Sequence, residues 1–378
     1  MKHIIIQVED IFKYPPTITL LNILTYFNQE VSLVNAFESA EVNNLCQKKG
    51  IKLINLKVRY DLKENGIKKL IKIPIIRKSI KEIVMNNRDD SIFWIMTSTT
   101  MKCIGSNMWN SRYVLYMYEL YEKLKYHKLI PYFQIDLNKL FNNASLIIEC
   151  EKNRSYIAQA LFNLDVKPVV IPNKPYLFGM TEQISLNKAD SKLSQINEIL
   201  KEATEKYVIL YQGVIDDERP IHLFSKAVEQ LGDKFLLIIM SDQINKLEYI
   251  GTNTRLISFI EPPTHLEITK KADLGILVYK PSNSSETSYL NSLYCAPNKI
   301  FEYAMFDIPM IGNNVPGLAN VLEEHGVGRC FDSLEISEIK KIIKFMYENH
   351  AMFKGRARKY YDSVDNIEAF RKVIEKLQ

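Results

Sequence analysis

The sequence predicts an α/β fold, parallel sheets flanked by helices, divided into two domains. Three observations carry this prediction. Short apolar runs alternate with amphipathic helical stretches in both halves of the chain, the signature of parallel β-α units. At 378 residues the chain exceeds the roughly 250 to 300 that a single core serves. A hydrophobic content of 47% with 25% charged residues is ordinary for a globular protein, so a sizeable core can be buried.

In the first half, Lys2 to Gln7 reads as the opening strand. Tyr14-Pro15-Pro16-Thr17 is a loop, and a helix begins near Thr17 with Ile18, Leu21, Leu24 and Phe27 on its apolar face. Further strands are predicted at Glu30 to Val34, Ser91 to Met96, Tyr113 to Met117, Ser145 to Glu149 and Val169 to Ile171. Ligands of parallel sheets gather beyond the carboxyl ends of the strands, which selects Thr97-Ser98-Thr99, Tyr118-Glu119 and Glu151 to Arg154. Glu119 leaves an apolar strand between Tyr118 and Tyr121, a setting that suits sugar stacking and a general base. The same position also suits a glutamate that opens a helix.

In the second half, strands are expected at Val208 to Tyr211, Phe235 to Met240, Arg255 to Phe259, Leu274 to Val278, Pro309 to Gly312 and Val327 to Cys330, with a helix over Thr264 to Ala272. Gly213 permits a tight turn after the first of these. Arg219 then precedes a helix whose Ile221, Phe224, Ala227, Val228 and Leu231 share one face. An arginine there can fork onto a phosphate, or else stay solvated within the acidic run Asp216-Asp217-Glu218.

The stretch Cys295 to Leu318 is the most informative. Pro297 and Asn298 mark a helix start, Asn being a favoured N-cap, and Ile300, Phe301, Ala304 and Met305 repeat at helical spacing to an end near Asp307. Lys299 in the first turn opposes the macrodipole, and Glu302 lies on the same face three residues on. A diphosphate at Lys299 and a sugar hydroxyl pair at Glu302 would reconcile them, although an i,i+3 ion pair on a surface helix has the same spacing.

Pro297 to Ala304 followed by Ile308-Pro309-Met310-Ile311 resembles the donor-nucleotide segment of GT-B glycosyltransferases, in particular the retaining, group 1-like bacterial enzymes that build capsule, O-antigen and other surface glycans. Val208 to Leu231 resembles the strand, glycine turn and basic residue that open the donor domain of that family. The resemblance implies two Rossmann-like domains facing across a cleft. Residues 1–175 would bind acceptor, 176–206 would link, 207–354 would bind donor, and a final helix within about 355–378, with Ile367 to Leu377 as its core, would pack back on the first domain. It further implies Gly213, Arg219, Tyr294, Pro297, Asn298, Lys299 and Glu302 as donor-binding residues, Pro16, Thr17 and Glu119 as acceptor-binding residues, and Glu119, Arg219 and Lys299 as catalytic ones. The donor would be a nucleotide-diphosphate sugar, UDP first among the bases, used without a metal or other cofactor; the acceptor would be lipid-linked or a glycan. One departure matters. Retaining members often place a second glutamate eight positions before the ribose glutamate, and here that position is Tyr294, so anomeric stereochemistry stays open. The loop Tyr279 to Ala296, with Lys280, Ser282, Ser284, Ser285 and Asn291, is rich in polar groups that could close over a sugar. A nucleotide-sugar 2-epimerase and a non-catalytic subunit of a glycosylation complex share the scaffold and remain rivals.

Other classes are disfavoured. Five scattered cysteines without a CxxC pair argue for a reducing compartment and against a zinc site. The start is not a signal peptide and no apolar run approaches the roughly 18 residues that span a bilayer, so a cytoplasmic location is expected. HExxH, Walker A and GxSxG motifs are absent. Charge is unequal: residues 1–172 hold 24 Lys or Arg against 16 Asp or Glu, while the remainder holds 25 against 28. Much of the excess falls between Lys48 and Arg88, where Lys63, Lys68, Lys69, Lys72, Arg77, Lys78 and Lys81 interleave with Leu70, Ile71, Ile73, Ile75, Ile76, Ile80 and Ile83. This Lys63 to Lys81 region suits either peripheral contact with an anionic inner membrane face or a helix packed on its own domain with solvated lysines. No nucleic-acid motif accompanies it.

Overall fold

Ile4, Ile5 and Ile6 are fully buried in the first strand, as a continuous apolar run demands when both faces of a parallel sheet are covered. The computed structural model describes residues 1–61, 64–122, 124, 135–175, 191–260, 262–281 and 289–378, with backbone only for 191–195. Lys63, Ser282, Ser284, Ser285 and the linker stretch 176–190 lie outside the described residues. The first sheet contains β1 (Lys2–Gln7), β2 (Glu30–Asn35), β3 (Lys52–Asn55), β4 (Ser91–Ile95), β5 (Tyr113–Met117), β6 (Leu146–Glu149) and β7 (Val169–Val170). Every pairing is parallel and the order is β3-β2-β1-β4-β5-β6-β7. Strand β3 has no counterpart among the expected strands. Its four residues form a half-exposed edge inside a lysine-rich stretch, so neither alternation nor a buried run marks it.

Alternation along β1 sends Ile4 and Ile6 into one core layer and Ile5 into the other. Helix Gly66–Asn87 covers the first layer through Ile73, Ile76, Ile80 and Val84. Helix Pro15–Tyr26 covers the second, starting two residues before the expected Thr17 because proline is well suited to a first helical turn whose N–H groups have no helical partner. The C-terminal helix Asn366–Leu377 joins that second layer through Phe370, Val373, Ile374 and Leu377, with the Phe370 ring 5.7 Å from that of Tyr116.

The second sheet contains β8 (Tyr207–Gln212), β9 (Phe235–Ser241), β10 (Thr254–Ser258), β11 (Leu274–Leu277), β12 (Met310–Asn313) and β13 (Gly328–Phe331), again all parallel, in the order β10-β9-β8-β11-β12-β13. Helix Ile221–Leu231 buries Ile221, Phe224, Ala227 and Val228 on one face of this sheet, while helix Lys299–Met305 puts Ile300, Tyr303 and Ala304 in the layer on the other. The chain forms two compact units. The first holds the described residues of 1–176, 284–291 and 365–378, and the second those of 177–283 and 292–364. No described helix is long and apolar enough to cross a membrane. None of the five cysteines forms a disulfide.

Candidate functional site

Strand order decides where a ligand can enter each unit. In the second sheet β8 and β11 are neighbours, but the chain leaves β8 toward β9 and leaves β11 toward β12 on the opposite side. Their outgoing loops part at the carboxyl ends, and that crevice is the switch point where open α/β sheets bind ligands. Gly213 begins the β8 loop at φ 130°, a backbone conformation that side-chain-bearing residues rarely adopt, and its N–H donates to Met240 O at 2.9 Å. A Cβ there would sit 2.8 Å from both Cε and Nζ of Lys299. Gly213→Ala is therefore expected to displace Lys299 and destabilise the fold by about 1–3 kcal/mol. Urea denaturation tests this, and an unchanged unfolding free energy would contradict it.

Arg219 comes from the same loop and Tyr279 from the loop after β11. The two loops are tied, since Lys280 N donates to Glu218 O at 2.8 Å. Tyr279 is fixed by Asn313, whose Oδ1 accepts from Tyr279 N at 2.7 Å and whose Nδ2 donates to Tyr279 O at 3.0 Å. The Arg219 guanidinium carbon lies 5.0 Å from the centre of the Tyr279 ring, and Nη1 pairs with Asp216 at 2.7 Å and approaches Glu218 at 3.7 Å. Thus Arg219 is partnered by its acidic run and also faces the crevice aromatics. Lys299 Nζ lies 4.8 Å from the Tyr211 ring centre, 5.5 Å from that of Tyr279 and 3.5 Å from the Tyr279 hydroxyl. Two cations are held among aromatic faces.

Lys299 is partly exposed by area, yet its ammonium is densely surrounded. Burial, aided by the nearby Arg219 charge and opposed by Glu302, pushes its pKa down to about 7. Glu302 moves the other way. Burial alone would raise it, but hydrogen bonding and charge from His265, with Lys299 and Gln212, hold it below the usual carboxylate range. Its oxygens are engaged within the unit: Gln212 Nε2 donates to Oε2, and His265 Nε2 stands 3.6 Å from Oε1. Thr269 Oγ1 completes the chain by donating to Gln212 Oε1 at 2.8 Å. A carboxylate has about four lone-pair sites, so capacity for a further donor remains. His265 Nδ1 is buried and has no hydrogen-bond partner among the described residues.

Asn298 occupies the N-cap position of helix Lys299–Met305 but its side chain caps nothing. Its φ and ψ are −54° and −31°, already helical, and its carbonyl accepts from Phe301 N at 2.9 Å and Glu302 N at 3.1 Å. Pro297 and Tyr294 lie in the half-buried approach to this helix, and the backbone at Tyr294-Cys295 runs so close to Gly317 that a Cβ there would meet Cys295 O at 2.5 Å.

In the first unit the corresponding switch point lies between β1 and β4, and Glu9 and Thr97 to Thr100 are its residues. Glu9 Oε2 accepts from Thr97 at 2.9 Å and Thr100 at 3.3 Å, its other oxygen is buried without a hydrogen-bond partner among the described residues, and burial raises its pKa. Pro16 and Thr17 are buried; the Thr17 hydroxyl donates to Gln7 and lies 3.1 Å from that of Tyr118. Glu119 is half-buried and accepts from Asn291 Nδ2 of the same unit. Asn291 is itself held by Leu120 N at 2.9 Å and by Arg154 Nη2, which donates to its carbonyl at 3.0 Å. Glu149, fully enclosed near Arg154, is pushed up to about 8 by burial.

Sequence reasoning singled out Gly213, Arg219, Lys299 and Glu302, and the fold gathers them at one crevice. It passed over Tyr211, Gln212, His265 and Thr269, and it named Tyr279 only as the start of a loop. The available signal was position: Tyr211, Gln212 and Tyr279 all stand at strand ends on either side of the switch point.

No protein-family model matches the sequence, and no curated protein matches it. Solved structures do. HepE from Anabaena, in complex with UDP and glucose, is similar with a TM-score of 0.66 at 14% identity, covering 100% of this chain and 99% of its own. Sucrose-phosphate synthase from Thermosynechococcus elongatus gives 0.67 at 14% identity, covering 100% and 98%. A Listeria monocytogenes protein assigned as a UDP-N-acetylglucosamine 2-epimerase gives 0.62 at 12% identity, covering 98% and 94%. Two helix-flanked parallel sheets of seven and six strands, together with this whole-chain likeness, establish that the chain has the GT-B fold of two Rossmann-like units.

Proposed function

We propose that this protein is a glycosyltransferase that moves a sugar from a nucleotide-diphosphate donor, UDP first among the bases, to a lipid-linked or glycan acceptor. The second unit would hold the donor and the first would hold the acceptor. The observation that supports it most is the pair of cations at the β8/β11 crevice. Burial and mutual repulsion disfavour the charge on Lys299, and a pyrophosphate is the ligand that would relieve both. HepE, a protein of the same fold, is described in complex with UDP and glucose and with UDP-glucose.

In the proposed reaction the bond between the sugar C1 and the β-phosphate oxygen breaks, and its electron pair stays on the departing UDP. Lys299 and Arg219 stabilise the charge that grows there, which is electrostatic catalysis that needs no metal ion. The acceptor oxygen bonds to C1 and Glu119 takes its proton. Glu302 is assigned to the ribose hydroxyls. A second reading is favoured by the likeness to the Listeria epimerase: a UDP-sugar would be converted without an acceptor, with the Glu302–His265 pair beside it.

The sign of the pH dependence follows from Lys299. Its pKa in the folded protein lies below that of a free lysine, so between about 7 and 10.5 the unfolded chain holds a proton that the folded chain lacks. This lysine therefore makes the ligand-free protein more stable as pH rises through that window. A pyrophosphate reverses the preference, so binding takes up a proton above pH 7. Affinity for UDP-glucose is expected to fall by about tenfold per pH unit above that point. Calorimetry in buffers of different ionisation enthalpy reads the proton uptake directly, and Lys299→Met should remove it. Incubation with a panel of nucleotide-sugars then separates transfer or slow hydrolysis from epimerisation. No binding to any of them would defeat both readings.

A further inference from the structure

Helix Gly66–Asn87 has two apolar faces where a helix on a sheet needs one. Ile73, Ile76, Ile80 and Val84 are buried against the first sheet. On the opposite side Ile67, Ile71 and Ile75 recur every four residues and are 67%, 64% and 46% exposed, with Met85 at 58% further along the same face. The helix carries six basic residues against one acidic residue, Glu82. Lys72 is engaged by Glu64 at 2.6 Å and by Arg59 O at 2.8 Å, and Arg77 donates to Lys102 O at 2.6 Å. Lys68, Lys78 and Lys81 are exposed beside or within the isoleucine stripe.

We propose that this outer face docks the protein on an anionic lipid bilayer, with the isoleucine stripe in the interfacial layer and the three lysines among the headgroups. Two features select a bilayer over a protein partner. Lysine is depleted in protein interfaces, which draw their strongest anchors from Trp, Tyr and Arg, and the stripe has none of these. An amphipathic helix lying in a membrane interface combines aliphatic side chains on one line with lysines whose stems run along it and whose ammonium groups reach the phosphates. From Ile67 to Met85 this face runs about 27 Å along the helix axis. The inference is independent of the transferase reading, since it uses no residue of the donor crevice.

Flotation of the full chain with vesicles tests it. The protein should float with vesicles containing phosphatidylglycerol at low salt, much less at high salt, and little with phosphatidylcholine alone. The variant Lys68→Gln/Lys78→Gln/Lys81→Gln should reduce partitioning by about a hundredfold. Ile67→Ser/Ile71→Ser/Ile75→Ser should reduce it by at least about tenfold. Because all six side chains face solvent, both variants should keep the wild-type thermal melt and UDP-glucose affinity, which separates this test from that of the donor site. Failure of the wild-type protein to float with anionic vesicles at low salt would overturn the proposal, as would undiminished flotation of the isoleucine variant. Light scattering supplies the remaining decision: a lipid-free dimer that the isoleucine variant dissociates would assign the face to a second copy of the chain and sink the bilayer.

Discussion

Lys299→Ala is expected to lower kcat/KM for sugar transfer by about 10²- to 10³-fold, the cost of removing one preorganised charge from the leaving group. The fold should not suffer. Among the described residues Lys299 Nζ makes its nearest polar contact at 3.5 Å, to the Tyr279 hydroxyl, and its charged form is disfavoured by burial and by Arg219, so truncation removes an unfavourable charge along with some packing. The melting temperature of the ligand-free variant near pH 7 should equal or exceed that of the wild type, while stabilisation by UDP-glucose disappears. Arg219→Ala should lose rate to a similar degree but at some cost in stability, because Asp216 and Glu218 would lose their cation. Steady-state kinetics with thermal melts in the presence and absence of UDP-glucose read both effects. Full turnover in the two variants would remove the crevice from the mechanism.

Glu119→Gln should lower kcat for transfer by about 10²- to 10⁴-fold, the contribution of a general base, while UDP-glucose binds as before. The substitution is informative because it preserves the local structure. A glutamine oxygen can still accept from Asn291 Nδ2, and Asn291 keeps its own bonds to Leu120 N and Arg154. A purely structural Glu119 would therefore tolerate glutamine, whereas a base would not. The two outcomes are distinguished by measuring kcat beside the donor Kd. Normal turnover in Glu119→Gln would return this residue to a positioning role for Asn291.

How much of this was legible beforehand varied with the range of the interaction. Buried strands such as Ile4-Ile5-Ile6 and Tyr207 to Gln212 declare themselves through uninterrupted apolar runs. Helix Ile221–Leu231 does so through a single apolar face. The edge strand Lys52–Asn55 did not, because it is half-exposed and its pattern is that of the polar stretch around it. Helix Gly66–Asn87 was ambiguous for a different reason. Its isoleucines divide between two opposite faces, and composition alone cannot say which of them meet the sheet.

The amino-acid sequence by itself determined the α/β class, the parallel character of the strands, the presence of Gly213 and Arg219 after a strand end and that of Lys299 and Glu302 in the first turn of a helix, because these depend on residues a few positions apart. Tertiary structure alone decided what surrounds them. Tyr211 and Tyr279 meet Lys299 across 88 and 20 positions of chain, and Gln212 and His265 reach Glu302 across 90 and 37, only because β8 and β11 pair in the middle of their sheet. Likewise the first turn of helix Pro15–Tyr26 carries Thr17 inward toward Gln7 and Tyr118. Local periodicity encodes which residues are buried; strand order, set by how whole layers pack, encodes which buried residues become neighbours.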